Sequence, residues 1–156
     1  MNSKRRTFLK TAGTASSVAI AAAAGLIKPT EVLAVEWNKA AFEAKGLPDA
    51  LKAVGAASPA ESNDILIKAP DIAENGAVVP IEVTSKVAGT SAIMLMVEKN
   101  PQPLTANFDL VNGAEGYVST RIKMGQTSNV RAVVKAGGKV FTAVKEVKVT
   151  IGGCGG

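Results

Sequence analysis

The stretch that decides the fold is residues 130–151, which read VRAVVKAGGKVFTAVKEVKVTI. Apolar residues recur on both sides of Gly137-Gly138, largely at every second position, as in strands whose successive side chains point to opposite sheet faces. We therefore predict two strands, over 130–134 and 140–151, with a turn at the two glycines. In the second strand the alternation directs one set of side chains to the core: Phe141, Ala143, Val147, Val149 and Ile151.

The same period of two continues upstream of this pair. It predicts further strands over 65–67, 78–83, 93–97, 108–111 and 118–124, separated by turn residues such as Asn75-Gly76 and Asn112-Gly113. About seven short strands with no helices between them favour an all-β fold, a small immunoglobulin-like antiparallel β-sandwich. Because proline cannot donate to a sheet ladder, we expect Pro80 at an edge or a bulge.

One of these strands is apolar on both faces. Ala92–Val97 reads AIMLMV, so one set of its side chains lies outside the core of its own sandwich. Either the N-terminal segment or a partner subunit covers that second face. Met94 and Met96 suit both uses because thioethers adapt to irregular surfaces. No histidine accompanies them, so we do not interpret them as copper ligands.

A short, broken helical segment precedes the strands. Apolar residues from Trp37 to Val54 recur at helical spacing, with Gly46 as the interruption and Pro48 suited to a first turn. We assign residues 35–59 to this segment and its linker, 60–151 to the sandwich and 152–156 to a C-terminal arm. Trp37 and Phe42 are expected to anchor the segment to the main domain.

Residues 1–34 have the pattern of an export signal. Basic residues precede a mildly apolar stretch rich in Ala, Gly and Ser, and small residues before Val35 allow cleavage after Ala34. Arg5, Arg6, Phe8 and Leu9 resemble the twin-arginine motif, from which Lys4 is the one departure. The apolar stretch is too short and too weakly hydrophobic for a membrane anchor. We expect a cleaved signal and a periplasmic protein.

The signal also carries the excess positive charge. Five of the 18 basic residues and one of the 13 acidic residues lie in 1–34, which leaves 13 and 12 in the remainder. This near balance removes the electrostatic argument for binding nucleic acid or a membrane surface. With no histidine and one cysteine, the chain has too few ligands for a zinc, blue-copper or haem site, and we expect no metal and no cofactor.

The residue that carries chemistry is the lone thiol of Cys154. It stands between Gly152, Gly153, Gly155 and Gly156 at the end of the chain. Glycines without Cβ atoms give a flexible arm that can pass through a narrow opening. A thiolate exchanges with other sulfur species, which suits covalent attachment of a sulfur-bonded cargo. No histidine is available to activate the thiol, so we expect partner active sites to supply catalysis.

The residues alone leave two other functions of this C-terminal segment open. Cys154 could link subunits of a structural β-sandwich protein through an intersubunit disulfide. Alternatively, Gly155-Gly156 could serve as the activated terminal carboxylate of a ubiquitin-like sulfur carrier, although export removes such a protein from ATP.

Together, the twin-arginine pattern, the β-rich domain and the ending VTIGGCGG at 149–156 resemble the SoxY family of thiosulfate-oxidation carriers. The turn at Asn75-Gly76 before Val79-Pro80 fits the same family. The resemblance implies an immunoglobulin-like fold and a non-enzymatic periplasmic protein whose Cys154 holds pathway intermediates. It also implies a hetero-oligomer with SoxZ and transient contacts with SoxXA, with SoxB and, where present, with a sulfur dehydrogenase.

Overall fold

Two β-sheets pack face to face in residues 37–111 and 113–150, the part of the chain that the computed structural model describes. The segment from Trp37 onward forms one compact unit. Its elements, in chain order, are α1 (Lys39–Glu43), α2 (Leu47–Ala53), β1 (Ala60–Glu61), β2 (Ile65–Lys68), β3 (Ile72–Ala73), β4 (Val79–Ser85), β5 (Thr90–Val97), β6 (Leu104–Asp109), β7 (Tyr117–Ile122), β8 (Ser128–Ala136) and β9 (Lys139–Val149).

The larger sheet has the strand order β1-β9-β8-β5-β6, and β3 also pairs with β9. The smaller sheet has the order β2-β4-β7. The longer strands pair antiparallel with one another, whereas β1 and β3 pair parallel with β9. This all-β, immunoglobulin-like sandwich confirms the predicted fold class. The seven predicted strands correspond to the seven longer ones, and the two-residue strands β1 and β3 are additional.

The turn in the deciding stretch is a two-residue hairpin loop. Ala136 pairs with Lys139, and the two glycines between them have φ values of 55° and 76°. Positive φ at both central positions is the requirement of a type I′ turn, whose twist matches that of the flanking strands. Gly137-Gly138 therefore fixes the register in which β9 lies against β8.

The main core lies between the two sheets. It contains Ile81 and Val83 from the smaller sheet and Ile93, Leu95 and Val134 from the larger one, all nearly inaccessible to solvent. The inward residues of β9 follow the predicted alternation, since Val147 is buried and Phe141, Ala143 and Val149 pack against this core. Ile151 lies outside the described residues.

A second apolar cluster settles which element covers the other face of β5. Met94 and Met96 are 1% and 0% exposed, and they pack with buried residues of the helical segment, among them Leu51 and Val54. Helices of five and seven residues are too short to be stable alone, so this packing is what stabilises them. The N-terminal segment therefore covers the face, and the alternative of a partner subunit at Met94 and Met96 is wrong.

The helical segment is broken where the sequence predicted. α1 ends at Glu43 and α2 begins after Gly46, with Pro48 in its first turn. The expectation for Trp37 is wrong, because its side chain is 64% exposed and its ring lies tilted against Phe42, with 5.7 Å between centroids. Phe42, which is half-buried against the second cluster, does help to anchor the segment. Among the described residues, no helix is long and apolar enough to span a membrane.

Two local predictions concern edges. β2 ends at Lys68, opposite Glu82, so at Pro80 the strand β4 is paired with β7 alone and the missing donor is tolerated. The predicted strand at 108–111 is wrong in its bounds, because β6 runs from Leu104 to Asp109 and Val111 is 67% exposed. β6 is an edge strand in which Leu104, Ala106 and Phe108 alternate with polar residues, so the period of two begins upstream of the predicted bounds.

A half-buried ion pair lies on the outer face of the larger sheet. The Arg131 Nη2 atom is 2.6 Å from Glu98 Oε1, and the two side chains are 20% and 19% exposed. Arg131 Nε donates to the same oxygen, while Asn129 Nδ2 donates to Oε2 at 3.0 Å. Both carboxylate oxygens are thus bonded, which makes this pair more rigid than the exposed ion pair between Lys68 and Glu82.

Candidate functional site

The residues predicted to carry the function fall outside the described part of the chain. These are the attachment residue Cys154, the arm residues Gly152, Gly153, Gly155 and Gly156, and the signal residues Arg5, Arg6, Phe8 and Leu9. The structure does describe the end of β9, from which the arm continues. The candidate site therefore consists of the described residues that hold the end of β9 and Thr150.

The end of β9 is bonded on both of its edges. On one edge, β3 pairs with Lys148 and Val149, and the Thr150 amide donates to the Ala73 carbonyl at 3.1 Å. On the other edge, β8 ends at Ser128, opposite Val147, so Val149 has no strand partner there. The Thr127 hydroxyl takes that place, because it accepts from the Val149 amide at 2.9 Å.

Three loops surround the end of β9 at this end of the sandwich. They connect β3 to β4, β5 to β6 and β7 to β8. Asn100 joins the last two, because its Nδ2 donates to the Lys123 carbonyl at 2.8 Å and its Oδ1 accepts from the Gly125 amide at 3.1 Å. These bonds fix the loop that carries Thr127. The base of the predicted arm is therefore held by an ordered polar network.

Several charged groups near this end are exposed side chains. Lys99, Lys123 and Lys148 are solvent-accessible, as is Glu74, and none of them forms an ion pair within the described residues. In residues 37–111 and 113–150, no three His, Cys, Asp or Glu side chains lie close enough together to hold a metal ion. What the described part offers at this end is a scaffold of hydrogen bonds around a strand terminus.

Two cavities of about 350 Å³ each lie beside β2, one next to β9 and the other next to β4. One is lined by residues of the β1–β2 connection and by β9 from Thr142 to Val144. The other is mostly apolar and lies between Ala69-Pro70 and Pro80. Neither is lined by Thr127, Val149 or the loop at Asn100. These cavities are therefore separate from the hydrogen bonds that hold the end of β9.

Comparison with known proteins identifies the family. The model of the family described as "Sulfur oxidation protein SoxY" matches residues 50–154, which is more than half of the chain. The chain belongs to the SoxY family. The matched residues end at Cys154, the predicted attachment residue. None of the curated proteins matches the chain.

A solved structure agrees with this assignment. The sulfur carrier protein SoxY from Chlorobium limicola f thiosulfatophilum is 44% identical to this SoxY-family chain, with a TM-score of 0.62. The similarity covers 72% of this chain and 99% of that one. The comparisons confirm the predicted resemblance and support a general carrier role in sulfur oxidation.

The sequence did not indicate Thr127 or β3. A two-residue strand is too short to show a period, and a threonine after Gly125-Gln126 looks like any other turn residue. Both became recognisable only when the neighbours of Val149 and Thr150 were known.

Proposed function

We propose that this chain is a covalent carrier of sulfur intermediates in periplasmic thiosulfate oxidation. Cys154 holds each intermediate, and the glycines beside it admit the thiol to the active sites of separate enzymes. The carrier supplies the attachment point and its partners supply catalysis. The single observation that carries the proposal is the SoxY family match, which extends through the terminal arm to Cys154.

The geometry of the described residues supports this proposal. Thr150 is held by the Ala73 carbonyl, and Cys154 follows it by four residues. Four extended residues span about 13 Å, which is enough to lead a thiol into a cleft and short enough to keep the domain at its mouth. A rigid sandwich with a bare terminal segment is the arrangement that such a carrier requires.

The proposed chemistry begins with oxidative coupling. The Cys154 thiolate and the sulfane sulfur of thiosulfate form an S–S bond, giving a cysteine S-thiosulfonate and releasing two electrons. In the SoxY family, the acceptor implied by the resemblance is the c-type cytochrome complex SoxXA. Water then cleaves the bond to the terminal sulfone in SoxB, which releases sulfate and two protons and leaves a persulfide on Cys154. A sulfur dehydrogenase, where present, oxidises that remaining sulfur.

SoxZ is the proposed stable partner. This part of the proposal rests on the family alone, because the apolar face at Met94 and Met96 is covered by the chain's own helices. Export by the twin-arginine route, for which Arg5 and Arg6 are the motif, would carry a folded SoxYZ complex across the membrane. A monodisperse, fully stable monomer in the absence of SoxZ would contradict an obligate partnership.

Reconstitution with the partner enzymes tests the proposal and separates it from the two alternatives. Cys154→Ser is expected to abolish thiosulfate oxidation, while deletion of Gly156 leaves most of the activity. The opposite pattern would indicate a terminal-carboxylate carrier. If the intersubunit disulfide were the function, reductant would dissociate a required oligomer, and Cys154→Ser would give the same dissociated species.

A further inference from the structure

The Thr127 side chain replaces a missing piece of the β8–β9 ladder. β8 ends at Ser128, so the amide and carbonyl of Val149 face the β8 side beyond its last paired residue. The Thr127 hydroxyl accepts from the Val149 amide at 2.9 Å and points to the Val149 carbonyl at 3.4 Å. The shorter contact has good hydrogen-bond length and the longer one is weak, so the amide bond dominates.

β3 holds the opposite edge of the same residues. The Lys148 amide donates to the Asp71 carbonyl at 3.0 Å and the Thr150 amide donates to Ala73 at 3.1 Å. Two paired residues add little to a sheet in which β9 already pairs with β8 over nine residues. Their position at the last residues before the arm points to a different use.

We propose that Thr127 and β3, together called the β9 clamp, set the length of the carrier arm by fixing the point where it leaves the domain. The proposal deepens the carrier function and rests on it. When the hydrogen bonds of the β9 clamp are formed, the chain is held through Thr150, and Cys154 is four residues away. Thr127 is thus a positioning residue for a thiol that it does not touch.

The clamp has a large effect on how far the Cys154 thiol can extend from the sheet. Without it, the last residue fixed by β8 is Val147, so seven residues separate the thiol from the sheet and the extended span rises from about 13 Å to about 23 Å. The effective concentration of a tethered group falls with roughly the three-halves power of tether length, which gives about a twofold loss at a docked active site. The clamp therefore raises the effective concentration of the thiol at a docked active site by about twofold.

Asn100 positions Thr127 within the clamp. Its two hydrogen bonds hold the backbone at Lys123 and Gly125, immediately before Thr127. The Gln126 amide group adds a long contact to the Lys99 carbonyl at 3.4 Å. The loop is thus fixed from outside the β8–β9 pair, and loosening it is expected to weaken the clamp without removing the Thr127 hydroxyl.

The test compares Thr127→Val, which removes the hydroxyl at similar volume, with Thr127→Ser, which retains it. Amide hydrogen exchange is measured for Val149 and Thr150, and a nitroxide on Cys154, the only cysteine, reports mobility of the arm. A hydrogen bond of ordinary net strength predicts about three- to tenfold faster exchange in Thr127→Val. Thr150 is the informative amide because it is bonded to Ala73 and makes no bond to Thr127.

Thr105→Val is the matched control. The Thr105 hydroxyl also donates to a backbone carbonyl, that of Leu95 at 2.8 Å, but it lies on β6, away from β9. The control and Thr127→Ser are expected to leave Thr150 exchange and nitroxide mobility unchanged, and Asn100→Ala to raise both by less than Thr127→Val does. Equal Thr150 exchange and equal mobility in Thr127→Val and Thr105→Val would overturn the proposal.

These readouts do not depend on sulfur chemistry. If the clamp is wrong, sulfur adducts still form on Cys154 while the Thr127 variants behave alike. If the carrier function is wrong, no adduct forms, yet Thr127→Val still accelerates Thr150 exchange. Should Thr127→Val fail to fold, the Asn100→Ala variant decides the question by the same two measurements.

Discussion

Leu51→Ala tests whether the N-terminal helices belong to the folded domain. Leu51 is 9% exposed and packs in the cluster that covers Met94 and Met96. The substitution removes three carbon atoms, worth about 2.4 kcal/mol at about 0.8 kcal/mol per buried methylene. A cavity adds to this, although a cluster near the surface can partly collapse. We expect the free energy of unfolding to fall by about 2–4 kcal/mol.

Urea denaturation followed by circular dichroism is the assay, and Leu66→Ala is the control. Leu66 is 51% exposed on the outer face of the smaller sheet, so the same chemical change there should cost about 1 kcal/mol or less. For ordinary urea slopes, Leu51→Ala lowers the midpoint by about 1–2 M. Equal midpoints for the two variants would refute the view that the helices stabilise β5 from its second face.

Two further substitutions test the sheets themselves, each against a matched control. Glu98→Gln leaves a half-buried guanidinium without its carboxylate and should lower the free energy of unfolding by about 1.5–3 kcal/mol in thermal unfolding. Glu82→Gln, in an exposed pair, should cost under about 1 kcal/mol. Equal losses in the two variants would contradict this ranking. Gly116→Ala would place a Cβ 2.6 Å from the Ser85 carbonyl oxygen and should cost about 1–3 kcal/mol, while Gly125→Ala, with its nearest atom at 3.8 Å, should be nearly neutral. A Gly116→Ala protein as stable as the wild type would show that the β4–β7 junction can move apart.

The sequence predicted the fold well where side-chain alternation and turn glycines agree. β8, β9 and Gly137-Gly138 are the clearest case, because apolar residues recur largely at every second position and two glycines allow positive φ. It misplaced the bounds of β6, because the apolar residues Phe108, Leu110 and Val111 favour a strand further along the chain than the alternation over Leu104–Asp109. It could not resolve the second face of β5 either, because a helix and a partner subunit both bury methionine equally well.

The candidate site was predictable only in its chemistry. A thiol between four glycines is visible in the sequence, and the family match includes it. The residues that hold the end of β9 were not predictable, because Thr127, Ala73 and Thr150 come together from three distant segments through single hydrogen bonds. The prediction for Trp37 was wrong because a large aromatic residue is buried on average, whereas here it lies against Phe42 at the surface.

The predictions for residues 1–34 and 152–156 remain predictions, because they fall outside the described residues. Cleavage after Ala34 is checked by the N-terminal sequence of the exported protein, which should begin at Val35. Arg5→Lys with Arg6→Lys should keep the chain in the cytoplasm if the twin-arginine motif directs export.

Intact-mass analysis of the protein isolated during thiosulfate oxidation tests the central claim most directly. The carrier account predicts species heavier than the free thiol by one S₂O₃ unit and by one sulfur atom, both removed by reductant and both absent from Cys154→Ser. Only the unmodified thiol during active oxidation, or the same adducts in Cys154→Ser, would contradict it.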